Sequence, residues 1–162
     1  MPTLADKDAC ELLDADHIAV KHLFVEYARQ AAAPAAKGGS DRKALAMKIC
    51  SELTVHAQIE EEIFYPALKG ALPDAKALLR EAQAEHQQAK EMIARIQGMG
   101  AADAAMDALV AELNRAIEHH VKEERDELFP KAKAAPGLDL DALGAQLRER
   151  QQELEGAVAM VS

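Results

Sequence analysis

The stretch Leu45-Ala-Met-Lys-Ile-Cys-Ser-Glu-Leu-Thr-Val-His-Ala-Gln-Ile-Glu-Glu-Glu-Ile-Phe-Tyr-Pro66 decides the fold. Leu45, Ile49 and Leu53 recur at four-residue steps, and His56, Glu60 and Ile63 continue the same stripe. One face of a helix therefore runs from apolar to polar and back. Residues four apart lie about 40° apart on a helix, so the His56 imidazole and the Glu60 carboxylate can reach one metal ion. The unit recurs 64 residues later as His120-Val-Lys-Glu-Glu124, and each copy has a proline six residues beyond its glutamate, Pro66 and Pro130. A single His-x-x-x-Glu carries little weight; the repeat carries much more.

Punctuation outside this stretch divides the chain into four long helical segments and a shorter fifth. The first spans about Glu11 to Ala32 and stops at a loop holding Pro34, Gly38 and Gly39. Ser40 or Asp41 can cap the second, which continues to about Leu68 before Lys69-Gly70. Pro73-Asp74 opens the third, which ends near Gln97-Gly98, and the fourth runs from about Asp103 to Lys133. Leu138-Asp139 starts the last, which fades after Glu155-Gly156. Short loops make sequential neighbours antiparallel. The expected fold is all-α: an up-down-up-down antiparallel four-helix bundle over residues 11–134, with a short additional C-terminal helix over 139–155, in one domain covering 1–162.

The inward stripes follow. The first segment presents Leu13, His17, Val20, Phe24 and Tyr27; the third Leu79, Ala82, His86, Ala89, Ile93 and Ile96. The fourth presents Met106, Leu113, Ile117, His120, Glu124 and Leu128. Every stripe carries a histidine where an apolar residue belongs, a violation of core patterning of the kind a functional site produces. His119-x-x-x-Glu123 also fits the spacing, but the stripe through Leu113 and Ile117, and the alignment of Pro66 with Pro130, favour His120. His22, about 140° around the helix from His17, is expected in solvent.

Composition narrows the function. Alanine, leucine and helix-forming charged residues dominate, aromatics are 3% and tryptophan is absent. Nineteen basic against 28 acidic residues leave a net charge of −9, which opposes binding to nucleic acid and to anionic membranes. No apolar run is long enough to cross a bilayer and no signal sequence is evident, so a soluble cytoplasmic protein, monomeric or a weak homodimer, is expected. Cys10 and Cys50 are too far apart for a Cys-x-x-Cys site and are expected to be packed, reduced thiols.

Buried carboxylates repel one another and take up protons unless a cation sits between them. Four imidazoles and two glutamates supply four nitrogen and at least two oxygen donors, a mixture that suits iron, manganese or zinc better than calcium or magnesium. With two divalent ions, such a site keeps positive charge and room for a small anion. No Glu-x-x-His occurs, which disfavours the ferritin plan, and no His-Glu-x-x-His occurs, which disfavours a zinc protease.

The segments Asp16-His17-Ile-Ala-Val-Lys-His-Leu-Phe24, Leu53 to Pro66, Glu85-His86 and His119 to Pro130 closely resemble the hemerythrin-like HHE cation-binding domain over residues 11–134. The resemblance implies a non-haem di-iron centre, two Fe2+/Fe3+ ions inside a four-helix bundle. His17, His56, His86 and His120 would be terminal ligands and Glu60 and Glu124 would bridge the irons. Oxygen-carrying hemerythrins have His-x-x-x-His on the third helix, whereas here Lys90 follows His86 by four residues, and Glu124 stands in place of a later aspartate. A protonated amine cannot ligate, so this chain looks like the four-His, two-Glu branch of the family.

The expected function is binding of a small ligand, oxygen, nitric oxide or peroxide, for sensing, storage or stress response. Val20, Leu53, Ile93 and Ile117 would make a dry pocket beside the metals. Alternatives are a di-iron enzyme acting on peroxide or nitric oxide, with Lys90, Tyr27 or Glu127 as an extra acid or base, and an iron-handling or regulatory protein. Tyr27 and Tyr65 are expected to pack with wet hydroxyls. Glu52 is as well placed to orient His56 as to face solvent. Glu61, Glu62, Glu123 and Glu127 are expected mostly at the rim.

Overall fold

The computed structural model describes residues 7–32 and 39–161, and for 39, 40 and 157–161 the backbone alone. The loop expected at 33–39 lies outside the described residues as far as 38, and Gly39 is already the first residue of α2, so residues 40 and 41 stand inside the helix and not at its cap. Among the described residues the chain forms helices and turns and no strand. The helices are α1 Ala9–Ala31, α2 Gly39–Ile59, α3 Tyr65–Ala71, α4 Lys76–Gln97, α5 Ala104–Glu123, α6 Phe129–Ala134 and α7 Leu140–Val161. A π-helical turn, Glu60–Phe64, joins α2 to α3, and a second, Glu124–Leu128, joins α5 to α6. Each joined pair is one rod, so the five expected segments are all present.

Polar side chains set several helix starts. The Asp8 carboxylate accepts from the Glu11 N–H at 2.9 Å while the Glu11 carboxylate accepts from the Asp8 N–H at 3.1 Å, a reciprocal cap that begins α1 two residues before the expected Glu11. Asp103 caps α5 through the Ala105 and Met106 amides. Asp139 accepts from the Ala142 amide at the head of α7, which runs on to Val161 rather than fading after Glu155.

The two π-turns have a common covalent cause. Pro66 and Pro130 lack an N–H, so an ordinary helical hydrogen bond cannot close at those positions. Just before each proline the chain widens by one residue: the Tyr65 N–H reaches back to the Glu60 carbonyl, and the Phe129 N–H to the Glu124 carbonyl. The extra residue shifts the inward stripe. Regular helical steps place Ile63 in the core, but Ile63 is half-buried and Phe64 is fully buried in its stead.

α1 packs on α2 and α5, α2 packs on α4, and α4 packs on α5, so the four rods form a closed ring; α7 lies across α1 and α2. The core is two apolar clusters. One gathers Leu13, Ile59, Phe64, Leu68, Leu128, Phe129 and Leu147; the other gathers Val20, Phe24, Ile49, Leu53, Ile93 and Leu113. On α1, His17 lies between Leu13 of one cluster and Val20 of the other, so the buried polar residues form a layer between two apolar plugs. α7 approaches the start of α1 closely because Gly144 has no side chain: a Cβ there would meet the Lys7 carbonyl oxygen at 2.5 Å. Cys10 and Cys50 are free, buried thiols, pushed up to about 12 and about 11 respectively, first by burial.

Candidate metal centre

The layer between the clusters consists of His17 from α1, His56 from α2, His86 from α4, His120 from α5, and Glu60 and Glu124, each the first residue of a π-turn. All six are buried, the two glutamates completely. Stripes at helical spacing on four separate rods converge on one point, as the sequence indicates. The six fall into two triads of potential ligand atoms, His17–His56–Glu124 and Glu60–His86–His120. Each glutamate thus joins histidines from the other half of the chain.

The imidazoles are oriented from outside. His17 Nδ1 lies 3.3 Å from Asp14, His56 Nδ1 3.1 Å from Asp16, His86 Nδ1 3.2 Å from Glu61 and His120 Nδ1 2.8 Å from Glu85. A carboxylate beside Nδ1 assigns the proton to that nitrogen and leaves Nε2 with its lone pair facing inward. Inward, His17 Nε2 faces His56 Nε2 at 3.2 Å, and His86 Nε2 faces His120 Nε2 at 3.1 Å. Two lone pairs that close repel unless a proton or a cation lies between them.

The carboxylates tell the same story. Glu60 Oε1 approaches His56 Nε2 at 3.1 Å and His86 Nε2 at 3.2 Å, and Glu124 Oε1 approaches His17 Nε2 at 3.0 Å. Yet both Glu60 oxygens and Glu124 Oε1 have no partner with hydrogen-bond direction. Close approach without that direction is how ligands to a shared cation are arranged. Buried oxygens left in this state cost free energy unless such a cation is present, so the donor set fits a metal pair.

Charge without the metal is distributed accordingly. Burial opposes charge on His56, but Glu60 and Asp16 more than reverse this and hold the imidazole well above its usual value. For His120 burial is likewise outweighed, by contacts with Glu60 and Glu85, and the imidazole is pushed up to about 10. Burial would raise Glu60, but the His56 charge together with contacts to Glu124, His120 and His56 outweighs it and Glu60 stays ionised; burial and the neighbouring Glu60 charge raise Glu124. Protons on imidazoles stand where metal charge would otherwise balance the carboxylates.

Tyr65 overturns its expectation. It is buried rather than wet, and its hydroxyl donates to Glu124 Oε2 at 3.0 Å while lying 3.3 Å from the Nε2 atoms of both His86 and His120. Burial, then the Glu60 and Glu124 charges, raise it well above the usual phenol value, so it stays protonated. Helical steps from Glu60 point Tyr65 elsewhere; the π-turn brings it in. A signal existed in the repeat, since Tyr65 is the counterpart of Phe129 one residue before each proline.

Other candidates fall outside. Lys90 Nζ binds Glu61 at 2.7 Å, so the ammonium supports the carboxylate behind His86. The Tyr27 hydroxyl donates to Asp107 at 2.7 Å, and Glu127 is exposed. His56 is oriented by Asp16, not by Glu52, and Glu61 serves His86 rather than the rim. His119 is largely exposed among Glu81, Glu85 and Glu123, and His22 is exposed. α7 also reaches the site: the Gln151 amide donates to both Asp16 oxygens, at 3.0 and 2.9 Å, behind His56.

Beside the imidazoles is a cavity of about 30 Å³ walled by Val20, Leu53, Ile93 and Ile117, with the stem of Lys90 along one side. A single water needs roughly 10–15 Å³ on this measure, so the space suits a molecule of about two heavy atoms.

An all-helical fold whose rods converge two His/Glu triads on one buried point defines a cation-binding protein. The chain belongs to the hemerythrin HHE cation-binding domain family, whose model matches residues 8–132. In fold it is similar to the crystal structure of a hemerythrin HHE cation-binding domain-containing protein from Mycobacterium kansasii, with a TM-score of 0.75 and 24% identity over 95% of this chain and 91% of that one. A comparison with curated proteins found no match.

Proposed function

We propose that this chain is a non-haem di-iron protein that binds a small ligand, oxygen, nitric oxide or peroxide, for sensing, storage or stress response. His17, His56, His86 and His120 are its terminal ligands, Glu60 and Glu124 bridge the irons, and the four rods run up-down-up-down within one domain. The observation that carries this reading is the meeting of four inward Nε2 atoms and two buried glutamates beside an apolar cavity of about 30 Å³. Bound iron supplies open coordination positions and reversible one-electron chemistry. The residues do the rest. Asp14, Asp16, Glu61 and Glu85 fix the imidazoles, the apolar walls exclude water, and Tyr65 holds a proton against Glu124.

The test is to add ferrous iron without oxygen, count metals per chain, then admit oxygen and follow the visible spectrum. Two irons per chain and an absorption band that fades when oxygen is withdrawn support ligand binding. One tightly held zinc and no uptake of iron would overturn it. A second reading, turnover of peroxide or nitric oxide, is favoured by the Tyr65 hydroxyl, which places a protonated acid inside the donor set. Peroxide loss no faster than that given by free iron would remove this second reading.

A further inference from the structure

Tyr65 has a second neighbourhood. A hollow of about 490 Å³ opens between α3 and the start of α4, lined by Tyr65, Leu79, Gln83, Lys69, Lys76 and Arg80. Its volume falls within the roughly 300–1,000 Å³ typical of small-molecule sites. Tyr65 and Leu79 are buried residues that nevertheless form its apolar floor. Three cations line it and no carboxylate does, on a chain whose net charge is −9. Lys69, Lys76 and Arg80 form no ion pair among the described residues, so no carboxylate of the chain neutralises the charge gathered at this one concavity.

Three positive charges around one concavity exceed what a single carboxylate neutralises and match a phosphate monoester, which carries about −1.5 to −2 near neutral pH. Arginine offers a planar fork to phosphate oxygens and lysines act as point charges beside it. The apolar floor suits a flat hydrocarbon group, and Gln83 adds a neutral donor and acceptor. We propose that this hollow binds a small organic phosphate, its apolar group seated on Tyr65 and Leu79 and its phosphate held by Lys69, Lys76 and Arg80. The hollow shares Tyr65 with the metal centre but contains none of its six candidate ligands, and it does not depend on the reading of that set.

The experiment is calorimetric titration of phenyl phosphate into the full-length, metal-loaded chain at low salt, with inorganic phosphate as the comparison. The expected result is one saturable site that prefers phenyl phosphate by about tenfold, as burial of an aromatic ring on an apolar floor supplies. The Lys76→Ser/Arg80→Ser double variant should bind about tenfold more weakly or worse with its metal content unchanged. Lys131→Ser/Lys133→Ser, which removes two exposed cations outside the hollow, should bind as the parent does. Equal weakening in both double variants would show diffuse charge attraction and overturn the site. Phenyl phosphate binding no tighter than inorganic phosphate, or no saturable heat at all, would overturn it as well. Metal content and the oxygen-dependent spectrum, measured on the same samples, keep failure here apart from failure of the metal-centre reading.

Discussion

Tyr65 and Phe129 occupy the same place in the two halves of the chain, each closing a π-turn, but only Tyr65 brings a hydroxyl to the buried carboxylates. Phe129 stacks on His17 instead, with ring centroids 6.1 Å apart and planes 10° from parallel. Tyr65→Phe should retain the metal and change the visible spectrum of the loaded protein. In the metal-free chain it should cost about 1–3 kcal/mol, because Glu124 loses its donor. Metal analysis, absorption spectra and denaturant unfolding read these separately; an unchanged spectrum would place the hydroxyl outside the chemistry.

The prolines hold the widened turns. Pro66→Ala restores an N–H and lets ordinary helical bonding close, which rotates Glu60 and Tyr65 relative to each other. Helix content should stay the same while metal affinity falls by about tenfold or more, comparable with the loss of an orienting contact. Circular dichroism with metal competition tests it; full affinity with unchanged helicity would mean that the turn persists without its proline.

Gln151 reaches the metal layer from α7, beyond the end of the matched family segment at residue 132, through Asp16 to His56. Gln151→Ala should leave Asp16 free to turn and weaken metal binding at the His17–His56–Glu124 triad by about tenfold. Stepwise metal titration is the check, and equal weakening at the Glu60–His86–His120 triad would argue for general loosening instead.

Protons and metal compete for the same nitrogens. His120 is pushed up from 6.5 to about 10, so its stabilisation of the metal-free fold is complete below about pH 6.5 and is lost as pH rises through about 10. Metal-free protein should therefore melt lower at pH 10 than at pH 7, and metal loading near neutrality should release protons. Thermal melts and calorimetry in buffers of different ionisation enthalpy measure both effects; metal uptake without proton release would show that the imidazoles are already neutral.

Gly144→Ala drives a methyl group into backbone, with contacts of 2.5 Å to the Lys7 oxygen and 2.8 Å to the Asp8 carbonyl carbon. Overpacking of this kind costs about 1–3 kcal/mol. The variant should melt lower and lose metal more readily, since α7 carries Gln151. A melting temperature equal to that of the parent would show that the α1–α7 contact is looser than its geometry implies.

The long helices were legible from their Pro and Gly punctuation, and the four His and two Glu that the structure brings together were legible mostly from spacing, because buried stripes on long helices repeat at fixed steps and a histidine inside such a stripe stands out. Val20, Leu53, Ile93 and Ile117 were legible as cavity walls for the same reason. The inward turn of Tyr65, and the exchange of Ile63 for Phe64, were not. Both depend on one extra residue wound into the helix, which breaks the fixed step that makes stripes readable. Asp16 behind His56, and Gln151 behind Asp16, depend on contacts between elements far apart in sequence, and no local pattern encodes them.

The crossing of Glu60 and Glu124 between halves bears on how such a site can be asymmetric. Two separate copies of a half-length chain could assemble the same six ligands, but by symmetry they would carry two tyrosines or two phenylalanines at the turn. Covalent fusion removes that constraint. With Tyr65 on one side and Phe129 on the other, a joined chain can give its two triads different surroundings, which a symmetric homodimer of identical halves could not do.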